Sequence, residues 1–239
     1  MKKLIRILLA IGVIAVILCI WECAGSPYLG MGVRTPFESA AKYHLRMMSY
    51  HGRETKNGQD HVHGEQLVAL GEQAVPVLAE AVGWGFNPRF DPKPHEMLAH
   101  FPAAAHHELA RRIHASKEST QDSEKVPRKW ILFERINLTT TLILISNDWS
   151  YLDAWLADVQ EQGSDTFSED NAPRMMRDML HALLENESAP EPFKSIDLSG
   201  AVVINPEFLK WWQENGRRIA AAASREGFHN AKGWDLRAI

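Results

Sequence analysis

Apolar side chains recur along most of this chain at three- and four-residue intervals, the spacing that gathers them on one face of an α-helix. The start departs from that pattern: Ile7 to Trp21 is an apolar run broken only by Gly12. Gly25, Pro27, Gly30 and Gly32 then mark residues 25–35 as a linker. From Pro36 the helical spacing sets in, with Phe37, Ala40, Ala41, His44, Leu45 and Met48 on one face. Residues 51–64 are polar and punctuated by glycine, so a loop is predicted there. Gln66 to Val82 reads as two short helices broken at Gly71, and residues 83–95, rich in glycine and proline, as another loop.

The second half repeats the alternation. His95 to Ser116 carries the stripe Met97, Leu98, Phe101, Ala105, Leu109 and Ile113, with Pro102 either interrupting it or starting its second part. Lys117 to Lys129 is charged and predicted exposed. Trp130 to Ile145 is apolar all round. Its LTTTLILI stretch (138–145) would also suit a buried strand, but its helical neighbours favour a central buried helix. Asp148 is placed to cap a helix with Trp149, Leu152, Trp155, Leu156 and Val159 on one stripe. Asn171 is placed to cap another, with Met175, Met176, Met179, Leu180, Leu183 and Leu184 facing inward. Residues 186–204 read as loop, with a short extended piece at 201–204. Asn205 and Pro206 then open the last helix, whose inward stripe is Phe208, Leu209, Trp212 and Ile219, with Trp211 half-exposed.

This succession predicts an all-α protein: a short α-solenoid of stacked helical hairpins over residues 36–239, preceded by one N-terminal transmembrane helix in residues 1–24. Lys2, Lys3 and Arg6 form a basic start, and Leu4 to Trp21 spans 18 residues. At about 1.5 Å per residue that length just crosses a hydrocarbon core of about 30 Å. Trp21 suits the far interface, and the basic end is expected to stay cytoplasmic. The expected location is therefore a single-pass membrane protein whose C-terminal domain is extracytoplasmic, in the periplasm or at the cell surface. A cleaved signal peptide is the alternative, with Cys23-Ala24-Gly25 as a passable cleavage site and secretion as its outcome.

Charge narrows the partners. The net charge is -4, and without Lys2, Lys3, Arg6 and Glu22 the remainder holds 23 basic and 29 acidic residues. Such an acidic body is a poor match for nucleic acid, whose phosphates require a positive surface. Both cysteines, Cys19 and Cys23, lie in the N-terminal segment. The body has no disulfide, no thiolate nucleophile and no cysteine metal ligand.

Leu67 to Val82 reads LVALGEQAVPVLAEAV. An aliphatic residue, Leu70-Gly71, a short turn, then Ala74-Val75-Pro76 and Leu78 resemble part of a HEAT-like repeat of the kind found in many bacterial proteins. The likeness covers one repeat, residues 64–82. The tryptophan-rich stretch from Pro206 to Asn215 is similar to helices that close some bacterial HEAT-like proteins. The resemblance implies a helical array with a capping end and a protein partner; together with the expected tether, the setting is an envelope assembly. A few proteins with such repeats are lyase-type proteins acting on bilin pigments, and nothing in this sequence singles out that chemistry.

Candidate chemistry is sparse. There are 11 histidines, and His51, His61 and His63 cluster beside Asp60. A His-x-His pair with a carboxylate can hold zinc or another transition ion. A polar surface loop is the competing account, and neither metal nor cofactor is expected. His100, His107 and His114 share a helix face crowded by Arg111 and Arg112, with His106 beside it. A solvated face explains them, and a pH-sensitive partner surface is the functional alternative. Carboxylate groups such as Glu169-Asp170, and Asp122 near Glu124, fall in polar loops. Trp130, Trp149, Trp155, Trp211 and Trp212 sit at helical spacing and are expected in the core, with an exposed aromatic surface for a ligand or partner as the alternative. No Gly-x-Ser-x-Gly elbow or P-loop occurs. The sequence thus favours a membrane-tethered protein-binding or scaffold module over an enzyme. The alternative is a metal-binding protein or enzyme using the His51–His63 loop.

Overall fold

The computed structural model describes residues 11–17, 38–51, 59–84, 93–119, 127–162, 172–196 and 202–226. Of these, 83% are helical, which fixes the class as all-α although two short strands are present. The chain divides into two compact units. The first comprises Met1–Leu70 with Arg89–Asp91, the second Gly71–Pro88 with Pro92–Ile239. The boundary falls at Gly71, inside the segment that resembles a HEAT-like repeat.

The first unit contains a helical segment over residues 11–17, here α1, in which Ile11, Val13, Ile14, Val16 and Ile17 are 50–58% exposed. Helix α2 (Ala40–His51) packs on α3 (Gln59–Ala69). Ala41, Met47, Met48 and Leu67 are buried. The loop predicted over 51–64 is therefore shorter: residues 59–64 belong to α3. Gly64 is buried rather than turning the chain, and packing against α2 overrides the polar composition of this stretch.

The second unit opens with a 3-10 turn (Gly71–Ala74) in which Gly71 has φ +65°, followed by α4 (Val75–Gly83) with Pro76 in its first turn. Glycine enters this left-handed region without strain. Helix α5 (Pro94–Leu98) is short, and Glu96 accepts from the Lys93 backbone N–H at 2.7 Å to close its start. Pro102 then begins α6 (Pro102–Ser119), so it separates two helices instead of kinking one.

Helix α7 (Arg128–Ser146) is the centre of this unit. Ile131, Leu132 and every residue from Ile136 to Leu144 are buried, and α4, α6, α8 (Leu152–Gln162) and α9 (Ala172–Leu184) all pack on it. That surround explains its apolar residues on every side. Its Thr140 hydroxyl donates to Ile136 O at 2.9 Å, a bond to the preceding turn that only a helix provides. Trp149, Leu152, Trp155 and Val159 join Met176, Met179, Leu180, Phe208 and Trp212 in one hydrophobic core. Asn171, the expected cap of α9, lies outside the described residues.

In the region 186–204 the short extended piece predicted at 201–204 is a strand, while a second strand at 193–196 departs from the predicted loop. Strand β1 (Phe193–Ile196) pairs antiparallel with β2 (Val202–Ile204), with a register irregularity between Phe193 and Ser195. Phe193, Val202 and Ile204 are buried while Lys194 and Val203 are exposed, the two-residue alternation of a strand with one face on the core. Phe193 stands edge-on to Trp155, with ring centroids 6.3 Å apart. Helix α10 (Pro206–Glu226) follows directly. Asn205 accepts from the Glu207 backbone N–H at 3.1 Å and donates to Glu191 O at 3.1 Å, fastening the start of the helix to the segment before β1.

Among the described residues, no helix is long and apolar enough to cross a membrane. Most of residues 1–24, where the anchor is predicted, lies outside them.

Candidate functional site

The most elaborate polar cluster gathers where α7 ends, in the second unit. Asn147 closes α7 in the left-handed conformation, φ 56° and ψ 28°, with its backbone N–H donating to Ile143 O at 2.9 Å. Asparagine tolerates this conformation better than most residues. Its amide donates to Ala223 O at 2.9 Å and Ser224 O at 3.2 Å, and it accepts from Trp149 Nε1 at 3.1 Å. The Ser224 hydroxyl accepts from the Trp149 backbone N–H at 3.0 Å. One turn thus ties the end of α7 to the last turns of α10.

Asp148 caps the 3-10 turn Trp149–Tyr151, as its position predicted. It accepts from the Ser150 backbone N–H at 3.1 Å and from the Ser150 hydroxyl at 2.5 Å. Its other oxygen lies 3.8 Å from His106 Nε2. The order is serine to carboxylate to histidine, whereas a nucleophilic serine must donate to the histidine itself. The cluster therefore holds a turn and does not activate Ser150. Beside it, Trp149, Ser150, Asp153, Arg217, Ala220 and Ser224 line a groove of about 250 Å³. Asp153 is committed there as the acceptor of Trp212 Nε1 at 2.7 Å.

Several charged groups elsewhere in this unit are paired. Arg135 and Asp158 form an ion pair, both side chains largely buried. Arg111 and Arg112 do not simply crowd the histidine face: both donate to Glu108, at 2.7 and 2.8 Å. The hydrogen bonds from Arg111 hold the Glu108 carboxyl below its ordinary range. Burial pushes Glu134 up, and Glu80 adds to that. His95 is held neutral, down to about 3, by burial and by the charge of Lys93.

The histidine candidates separate. Among the described residues no group of three or more His, Cys, Asp or Glu side chains assembles as a metal set. The side chains of His51 and His61 lie outside the described residues. His63 is described, and its Nδ1 lies 2.9 Å from that of His44, a pairing sequence spacing did not suggest. His100, His107 and His114 are exposed. The carboxylate groups at Asp122, Glu124, Glu169 and Asp170 lie outside the described residues.

The described tryptophans fall into three groups, buried, half-buried and exposed. Trp149, Trp155 and Trp212 are buried, and each indole N–H finds an acceptor, that of Trp155 being Thr140 Oγ1 at 2.8 Å. Trp211 is half-buried and packs against the core. Trp130 corrects the core expectation: it is 50% exposed, because the first turn of α7 stands in solvent before the helix enters the core. Trp84, directly after α4, is 75% exposed. Gly83 beside it is so close to Glu134 that a β-carbon there would lie 2.9 Å from Glu134 Cγ. Trp84 thus directly follows the residue of α4 that meets Glu134 of α7, and Trp130 lies one helical turn before Glu134.

No family model, curated protein or solved structure matches the chain.

Proposed function

We propose that the protein is a membrane-tethered helical scaffold whose body binds another protein on the extracytoplasmic side. In this reading residues 1–24 are the tether, residues 25–35 the linker, and the helices beyond them a short HEAT-like solenoid closed by α10. The observation that carries it is the pair of exposed indoles, Trp84 next to Gly83 and Trp130 one turn before Glu134, where Gly83 and Glu134 bring α4 and α7 together. Large aromatics in water cost solvation energy without helping the core, and tryptophan is the residue type most enriched at binding hot spots. The polar groups around Asn147 and Asp148 are absorbed by turn and helix-end hydrogen bonds, which favours a binding module over an enzyme.

A photo-crosslinking amino acid at Trp84 or Trp130, in full-length protein in intact membranes, tests this. The same protein partner should be captured from both positions and not from exposed Lys210 on α10. Trp84→Ala with Trp130→Ala should abolish association while leaving the melting temperature within a degree or two. Capture that is equal at Lys210, or association unaffected by the double variant, would remove this surface from the account.

A further inference from the structure

His44 and His63, on the packed helices α2 and α3, present their Nδ1 atoms to each other at 2.9 Å. Both side chains are partly buried, and the rings are tilted by 46°. Tyr43 stands edge-on to both, its centroid 5.1 Å from that of His44 and 5.9 Å from that of His63, which restricts their rotation. We propose that these two nitrogens form a binding site for a divalent transition ion of the copper(II) type.

The separation selects the geometry. Metal–imidazole bonds are about 2.0–2.1 Å, so two nitrogens 2.9 Å apart subtend about 90° at a shared ion. That is the cis angle of square-planar or tetragonal coordination. A tetrahedral ion with the same bond lengths needs its ligands about 3.4 Å apart, so zinc fits less well without helix movement. Copper(II) and nickel(II) prefer tetragonal nitrogen and oxygen sets, and copper(II) stands highest in affinity among the divalent ions.

The protons balance. Without an ion, one ring donates Nδ1–H to the Nδ1 lone pair of the other. With an ion on both Nδ1 atoms, the donor ring carries its proton on Nε2 instead, and both imidazoles stay neutral. The cation Arg46 on α2 is engaged by other groups and does not oppose the ion strongly. Arg46 lies over the Tyr43 ring, 5.6 Å from its centroid, and is held by Glu38 through two hydrogen bonds of 2.8 Å. Water or an exogenous donor completes the coordination.

The test uses full-length protein in detergent micelles and copper(II) as the only added ion. One equivalent should bind, with a tetragonal electron paramagnetic resonance spectrum split by two nitrogens. His44→Asn and His63→Asn should each weaken binding by about tenfold or more, while His100→Asn should not. Zinc should bind more weakly than copper. As a check independent of folding in the variants, ring ¹⁵N resonances of wild-type protein titrated with zinc should show ligation through Nδ1. Absence of stoichiometric copper, binding that survives both substitutions, or ligation only through Nε2 would overturn the assignment.

Discussion

The indole of Trp212 lies over Gly216, one turn further along α10. A β-carbon at Gly216 would fall 2.2 Å from Trp212 Cε2 and 2.5 Å from its Cδ2 and Nε1. The bare backbone leaves the ring where it can donate to Asp153 Oδ1 at 2.7 Å and stack near Phe208, with centroids 5.8 Å apart. Glycine to alanine in a helix usually stabilises by roughly 0.5–1 kcal/mol. Here the sign should reverse: Gly216→Ala should cost about 1–3 kcal/mol by forcing the ring aside. Trp212→Ala should cost about 3–5 kcal/mol and Trp211→Ala clearly less, since Trp211 is only half-buried. Denaturant unfolding measures all three, and a Gly216→Ala variant as stable as wild type would show that the indole has another place to go.

Gly71 and Asn147, both at positive φ, should respond differently to substitution. Gly71, at φ +65°, has open space where a β-carbon would stand, with no atom within 4 Å, so only backbone strain opposes a side chain. Gly71→Val should lose roughly 1 kcal/mol or more, and Gly71→Asn less. Asn147 also carries hydrogen bonds to Ala223 O and Ser224 O and from Trp149 Nε1. Asn147→Gly keeps the conformation and loses those bonds, so it should still destabilise. Asn147→Ala should be worse than Asn147→Gly. Equal melting temperatures for these two variants would mean that the left-handed conformation costs nothing there.

His95 should make stability fall in mild acid. Its folded value is lowered from 6.5 to about 3 by burial and by Lys93. Between those values the unfolded chain takes a proton that the folded chain refuses. The stability is therefore complete above pH 6.5 and is lost as pH falls toward 3, by up to about 1.4 kcal/mol per pH unit. His95→Gln should flatten the dependence of unfolding free energy on pH between about 5 and 6.5, a window above the ordinary titration of the carboxylates. An unchanged slope in that variant would place the proton uptake elsewhere.

The N-terminal segment should keep the full-length protein with membranes through high-salt and alkaline washing, while a chain beginning at Ser26 should stay in solution. Lys2, Lys3 and Arg6 before the apolar run motivate this. Release by the washes would count against a spanning helix, and a mature N-terminus near Gly25 would establish cleavage instead.

By itself the sequence determined the helical class, most helix positions and the inward faces, because 3.6-residue periodicity is a local signal that survives without neighbours. It also placed the caps at Asp148 and Asn205 and the turn at Gly71, whose geometry depends on a few adjacent residues. Tertiary structure alone decided the rest. The strand at 193–196 exists because Phe193 meets Trp155 and Ile204, contacts that no window around it contains. Residues 59–64 became helix through packing on α2. Trp130 and Trp155 share the same residue type and a similar helical setting, yet one is exposed and the other buried, because burial depends on what lies opposite. His44 and His63, 19 residues apart, face each other only because α2 and α3 pack together, and a distance between side chains on different helices has no counterpart in spacing along the chain.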